Sequence, residues 1–249
     1  MDLELRGKIA LITGSSRGIG LAIAQTLQDE GCTVILNGRN ASQLASAAMS
    51  MGVESMTCDL SLDGSAQALI DFVISRHGAL DILVCNVGTG ASLPPGQEDW
   101  REWERMINLN LRPAVSMVHA ARKHLTLSHG VALCISSICG TAALGAPLAY
   151  SAAKAALDSY VRGMARVLGP LGARINALAP GNILFDGNRW ADRQSKQPDE
   201  VQEMLRKEVA LQRFGRLHEV ANVAAFLCSS KSGFIAGEVL VADGGQLRG

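Results

Sequence analysis

The chain runs to 249 residues, 48% hydrophobic and 18% charged, which excludes a disordered or low-complexity protein and suits one α/β domain with a substantial core. Lys plus Arg and Asp plus Glu both number 23, and this balance argues against nucleic acid or an anionic membrane as the partner and for a small molecule. No run of about eighteen uncharged apolar residues appears and the first residues carry acids, not a signal peptide, so the expectation is a cytoplasmic protein.

Short apolar runs alternate with helix-length amphipathic segments along the whole chain. Strands are predicted at 8–12, 33–37, 54–58, 81–85, 131–136, 174–179 and 238–242, with helices between them, including 21–31, 65–78 and one long run from Asp99 to about Leu127. Continuous apolar strands separated by helices predict a parallel sheet covered on both faces.

Directly after the first strand comes Thr13-Gly14-Ser15-Ser16-Arg17-Gly18-Ile19-Gly20, leading into a helix. Glycines there allow a tight turn and close approach of a phosphate to the helix N-terminus, though they also suit a tight turn with no ligand. The place of the turn at the end of strand one favours a nucleotide. Strand two ends Asn37-Gly38-Arg39-Asn40, without the acid that binds an adenosine 2′-hydroxyl, and Arg17 lies in the turn. Both arginines also suit solvated positions, but the missing acid favours NADP(H) over NAD.

Cysteines 32, 58, 85, 134, 139 and 228 lack CxxC spacing, and the five histidines show no metal-ligand spacing, so reduced thiols and no metal are expected. Trp100, Trp103 and Met106 follow a helical spacing that reads as packing or a subunit interface. Further on, Tyr150 and Lys154 stand four residues apart, on one face of a predicted helix, with Ser137 thirteen residues upstream. Such a pair occurs on many exposed helices, but it is also a proton-transfer arrangement. A lysine ammonium near a phenol favours the phenolate and lowers a pKa that is ordinarily near ~10. The segment 182–216 is rich in charge and amides and is placed to form a substrate lid; in it Trp190, beside Arg189 and Arg193, either faces substrate or belongs to a solvated helix.

The glycine turn, Ser137 and the Tyr150/Lys154 pair, in this order and followed by the terminal Val241-Ala242-Asp243-Gly244-Gly245, make the whole chain resemble the short-chain dehydrogenase/reductase family, in particular members like the 3-oxoacyl-carrier-protein reductases. The resemblance implies a Rossmann-like, doubly wound, seven-stranded parallel sheet, with residues 1–249 as one NADP(H)-binding domain. It implies catalysis by Asn110, Ser137, Tyr150 and Lys154. Cofactor contacts are implied at Gly14, Ser16, Arg17, Gly18, Ile19, Gly20, Arg39, Asp59, Leu60, Asn86, Gly88, Tyr150, Lys154, Pro180, Gly181 and Ile183. Asp59 matches an adenine contact, and Ile183 lies near the nicotinamide carboxamide. Pro113 cannot donate to the Leu109 carbonyl, so the long helix should bend near Asn110 and free carbonyls for a water.

Three departures from the family pattern carry expectations of their own. Cys85 replaces a polar residue that braces the sheet, and a packing adjustment is expected. Phe185 falls where a threonine commonly contacts the nicotinamide, so its ring is expected to shape the substrate pocket instead. Ser128 and Leu171 stand where reductases of carrier-protein thioesters tend to have arginines, which weakens that reading. The expected activity is interconversion of a ketone and a secondary alcohol on a small polar or sugar-like substrate. The alternatives are a 3-oxoacyl-thioester reductase and, from another class, an NADP(H)-binding redox-sensing regulator. Family members assemble as homotetramers or homodimers, and this chain is expected to do the same.

Overall fold

The seven apolar runs become the seven strands of one parallel sheet in a computed structural model of the chain, which describes residues 1–247. The strands are β1 (Ile9–Ile12), β2 (Thr33–Gly38), β3 (Glu54–Thr57), β4 (Ile82–Cys85), β5 (Val131–Ile135), β6 (Arg174–Pro180) and β7 (Val239–Ala242), in spatial order β3-β2-β1-β4-β5-β6-β7. The order reverses between β1 and β4, and ligands of open α/β sheets bind beyond the carboxyl ends of the strands at such a point.

Strand pleating sends alternate residues to opposite faces. Ala10, Ile12, Ile82, Val84 and Leu133 enter one core with α1 (Gly18–Asp29) and α2 (Ala41–Met51). Leu11, Leu83, Cys85, Ala132 and Cys134 enter the other core with α3 (Ser65–His77). The long predicted helix divides, as Pro113 requires, into α4 (Trp100–Asn110) and α5 (Arg112–Leu127), with Leu111 at φ −114° between them. Helix α5 and the 21-residue α6 (Leu148–Leu168) complete this second layer. Cys85 is buried beside its register partner Cys134, which accounts for the lost polar residue as a packing change.

Residues 182–216 hold α7 (Arg189–Lys196) and α8 (Pro198–Glu208), ahead of α9 (Leu217–Cys228), which packs with α1 on the first core. Val201, Leu205, Val209 and Phe214 form a separate small core with Leu184, Trp190 and Met204. Trp190 packs on Phe214 at 5.3 Å between ring centroids, with the Arg193 guanidinium 5.7 Å above it. Its ring is therefore committed to this local core.

Candidate active site

The turn after β1 is tied to β4 through Asn86, whose side-chain amide donates to the Thr13 and Gly14 carbonyls at 3.2 and 2.9 Å. Gly14 and Gly18 take φ +61° and +58°, a region that disfavours any side chain. At Gly20 the limit is space: a Cβ there would stand 2.5 Å from the Gly14 carbonyl oxygen and would strike the Asn86 amide. No side chain caps α1, so its first N–H groups face the turn with the positive end of the helix dipole. This cradle fits a pyrophosphate.

Toward β2 the turn meets Gly38, where a Cβ would lie 3.4 Å from Ser16 Cβ. Arg39 is exposed at the end of β2 and close enough to Asp59 to help lower its carboxyl pKa, although the larger cause is hydrogen bonding from Ser61. Leu60 is buried beside them. Ser16, Arg17, Arg39 and Asp59 thus border one corner that contains two cations, and no acid stands on β2 itself. Arg17 Nη1 reaches the Gly187 carbonyl at 3.3 Å. Ile19 is half-buried against the first core, and Ile183, buried and packed under Gly215, turns its side chain into the same core. Pro180 ends β6, and Gly181 donates to the Ala242 carbonyl at 3.0 Å.

Phe185 departs from the expectation. A Cβ on Gly18 would come within 2.7 Å of the Phe185 ring, so the ring lies on the phosphate turn and not in a substrate pocket. The turn through residues 183–188 explains this: Asn188 donates to the Ile183 carbonyl at 2.7 Å and caps α7, which folds the segment back over α1.

The catalytic candidates meet beyond β4 and β5. Ser137 stands two residues past the end of β5, its Oγ accepts from the Cys139 amide at 3.2 Å, and its hydroxyl is near enough to the Tyr150 phenol to favour the phenolate. Lys154 Nζ donates to the Ile135 carbonyl at 2.8 Å and lies 6.0 Å from the centre of the Tyr150 ring. Asn110, the last residue of α4, is buried; its Oδ1 accepts from the Thr89 amide at 2.8 Å and its Nδ2 donates to Met106 at 3.0 Å. A Cβ on Gly88 would fall 2.8 Å from Asn110 Oδ1 and 3.3 Å from Lys154 Nζ, so only glycine lets the backbone pass this close to the two. Gly90 faces Tyr150 Cζ at 3.8 Å from its ideal Cβ. Thr89 and Gly90 were not singled out in the sequence; the run Gly88-Thr89-Gly90 was the available signal.

Electrostatics corrects one expectation. Tyr150 is only partly covered, yet burial of its phenol pushes the pKa up to about 12, with the nearby Ser137 hydroxyl pulling it back and Cys139 raising it further. Lys154 does not lower it in this state, because its ammonium points to the Ile135 carbonyl and is itself buried. Burial lowers Lys154 to about 8, against the opposing influence of Cys134 and Asp158. Between about pH 8 and 10.5 the folded chain has therefore released a proton that the unfolded chain still holds, and stability gains from rising pH in that window. The raised Cys32 and Cys228 thiols act the other way in both proteins above about pH 9, so urea unfolding at the two ends of the window should show this gain as a rise in the stability of the wild type relative to Lys154→Met. An unchanged difference between the two proteins would assign the titration to another group.

A family model described as Enoyl-(Acyl carrier protein) reductase matches residues 14–246. The 3-oxoacyl-[acyl-carrier-protein] reductase FabG of Aquifex aeolicus is 31% identical over 253 residues, covering 99% of this chain and 100% of the relative. The structure of L-sorbose reductase from Gluconobacter frateurii, complexed with NADPH and L-sorbose, superposes with a TM-score of 0.93 at 30% identity over 100% of both chains. That of a 7α-hydroxysteroid dehydrogenase, complexed with NADH and 7-oxo glycochenodeoxycholic acid, does so with a TM-score of 0.89 at 30% identity over 100% of this chain and 97% of the other.

Proposed function

Since the chain belongs to the short-chain dehydrogenase/reductase family, we propose that it is an NADP(H)-dependent oxidoreductase interconverting a ketone and a secondary alcohol on a small polar or sugar-like substrate. The observation that carries the reading is the convergence of Ser137, Tyr150 and Lys154 beyond β5, two strands from β1 and its phosphate cradle. Gly14, Ser16, Gly18, Ile19 and Gly20 would hold the pyrophosphate, Arg17 and Arg39 the 2′-phosphate, Asp59 and Leu60 the adenine. Asn86, Gly88, Pro180, Gly181 and Ile183 would border the nicotinamide, largely through backbone. When bound, that ring supplies or takes up the hydride.

The protein's own groups manage the oxygen and its proton. Ser137 holds the carbonyl oxygen by a hydrogen bond that strengthens as negative charge develops. Tyr150 gives that oxygen its proton, and a phenol kept protonated by burial is in the form the step requires, since an alkoxide is the stronger base. Lys154 binds the ribose hydroxyls, and Asn110 positions a water that links Lys154 to solvent. NADP(H) is favoured over NAD(H) by Arg17 and Arg39 and by the absence of an acid on β2. The six free thiols suit a cytoplasmic site of action. Self-association is supported by Phe234, fully exposed, and Val241 on β7; a sedimentation mass equal to one chain would refute it.

The 3-oxoacyl-thioester reading draws on the carrier-protein relatives. Against it, the Ser128 hydroxyl caps the Leu80 carbonyl at 2.7 Å and Leu171 is an exposed apolar residue, so neither supplies a cation for a carrier protein. A panel of ketoses, small ketones and acetoacetyl thioesters with NADPH separates the two. Higher kcat/KM on a polar ketone is the expected result, and higher kcat/KM on the thioester overturns the substrate assignment. Phe185→Ala, which lifts a ring off the phosphate turn, should tighten NADPH binding a few-fold when titrated by nicotinamide fluorescence. Weaker binding would mean that the ring supports the cofactor.

A further inference from the structure

Three successive residues at the end of β5 meet three side chains on one face of α6. Ser137 faces Tyr150, the Ile135 carbonyl accepts from Lys154, and Ser136 faces Asp158. Tyr150, Lys154 and Asp158 follow at intervals of four residues, each one helical turn after the last. The function given above uses the first two and leaves Asp158 without a part. Yet Asp158 is only 2% exposed, where a carboxylate is costly.

Its surroundings do not satisfy it as a structural group. Asp158 Oδ1 and Ser136 Oγ each lack a hydrogen-bond partner among the described residues; Ser136 is near enough to favour the ionised carboxylate, but the pair falls short of hydrogen-bond geometry. Oδ2 lies against Gly140, where a Cβ would come within 3.1 Å of it and within 2.8 Å of the Lys154 carbonyl carbon. The cations facing it are Lys154 and Arg162, one turn before and one turn after on α6; from β5 the neighbouring thiol is Cys134, which acts on Lys154. Arg162 is the stronger influence on Asp158 but stands exposed to solvent, whereas Lys154 is buried with it. Burial raises the Asp158 pKa, and Ser136, Arg162 and Lys154 each favour its charge. A well-packed apolar residue would be the more stable choice at such a place.

We propose that Asp158 is a positioning residue of this site, the buried counter-charge that keeps Lys154 an ammonium held on the Ile135 carbonyl and ready for the ribose hydroxyls. This rests on the role given to Lys154 above, but its test needs neither substrate nor cofactor. The chain has six lysines, few enough for NMR titration with ε-carbon labelling, and Lys154→Met assigns the signal. Asp158→Asn, nearly isosteric, should move the Lys154 midpoint down by about half a unit or more while circular dichroism shows the fold kept. An unchanged midpoint in the folded variant overturns the proposal. Ser136→Ala removes the hydroxyl that favours the carboxylate; it should move the midpoint the same way by a smaller step, and no movement there counts equally against Asp158. A merely structural Asp158 would change the melting temperature and leave the midpoint in place. In the active enzyme the alkaline limb of kcat/KM for carbonyl reduction should move down with the midpoint. If no carbonyl substrate is found, the NMR result still stands and only the reductase reading fails.

Discussion

Tyr150→Phe should lose roughly 10² to 10⁴ of kcat for carbonyl reduction while NADPH binding stays within about twofold of wild type. The substitution removes one oxygen from a ring already fixed between Gly90, Ser137 and the start of α6, so the site keeps its shape. What it loses is the only proton donor that Ser137 and Lys154 bracket. Ser137 remains to polarise the carbonyl, which is why a residue of activity is expected. Its removal along with Tyr150 should cost less than the product of the two single losses, because groups acting as a unit are not additive. Stopped-flow measurement of a single turnover separates the chemical step from product release and reads the loss directly. A Phe variant within a few-fold of wild type in that step would remove Tyr150 from the chemistry.

Gly20→Ala should abolish measurable cofactor binding and lower the melting temperature by roughly 4–10 °C, the effect of about 1–3 kcal/mol of overpacking in a chain of this size. The reason is specific. The new methyl meets the Gly14 carbonyl and the Asn86 amide, two backbone-anchored groups that close the turn between β1 and β4, and neither has a free direction in which to move. Relief would require α1 to shift away from the sheet and would open the phosphate cradle. By contrast, Gly52→Ala, at a helix end where a Cβ meets nothing within 4 Å, strains only the φ of +67° and should leave cofactor binding intact. Isothermal titration with NADPH beside thermal unfolding tests both. Wild-type affinity in Gly20→Ala would show that the cradle does not hold the cofactor.

The architecture was legible because its determinants are local. Ile9–Ile12, Ile82–Cys85 and Val131–Ile135 are apolar on both faces, which marks strands covered from both sides, and each lies within a residue of its predicted bounds. The division of the long helix could be read from Pro113 alone, since a missing N–H is a property of one residue. The meeting of Ser137 with Tyr150 was carried by spacing and family resemblance together. Phe185 was misread because its direction depends on Asn188 folding the segment over α1, a contact that no periodicity reveals. Trp190 could have faced either way until Phe214, more than twenty residues on, supplied its partner. The phenol pKa went wrong for a related reason: a four-residue interval places Lys154 near Tyr150 but does not say that the Ile135 carbonyl captures the ammonium or how deeply both are covered. Asp158 was readable as one more step of the same interval, and nothing in the sequence marked it as buried.

The central claim is that this site reduces carbonyls with NADPH through Tyr150. It is tested most directly by following the absorbance of NADPH and of NADH in parallel across the carbonyl panel, with wild type and Tyr150→Phe side by side. The expected result is turnover by the wild type with kcat/KM about tenfold or more in favour of NADPH, and its loss in the variant. Faster turnover with NADH would contradict the roles of Arg17 and Arg39. Tight NADPH binding with no turnover on any carbonyl would contradict the enzyme and leave a regulator in its place.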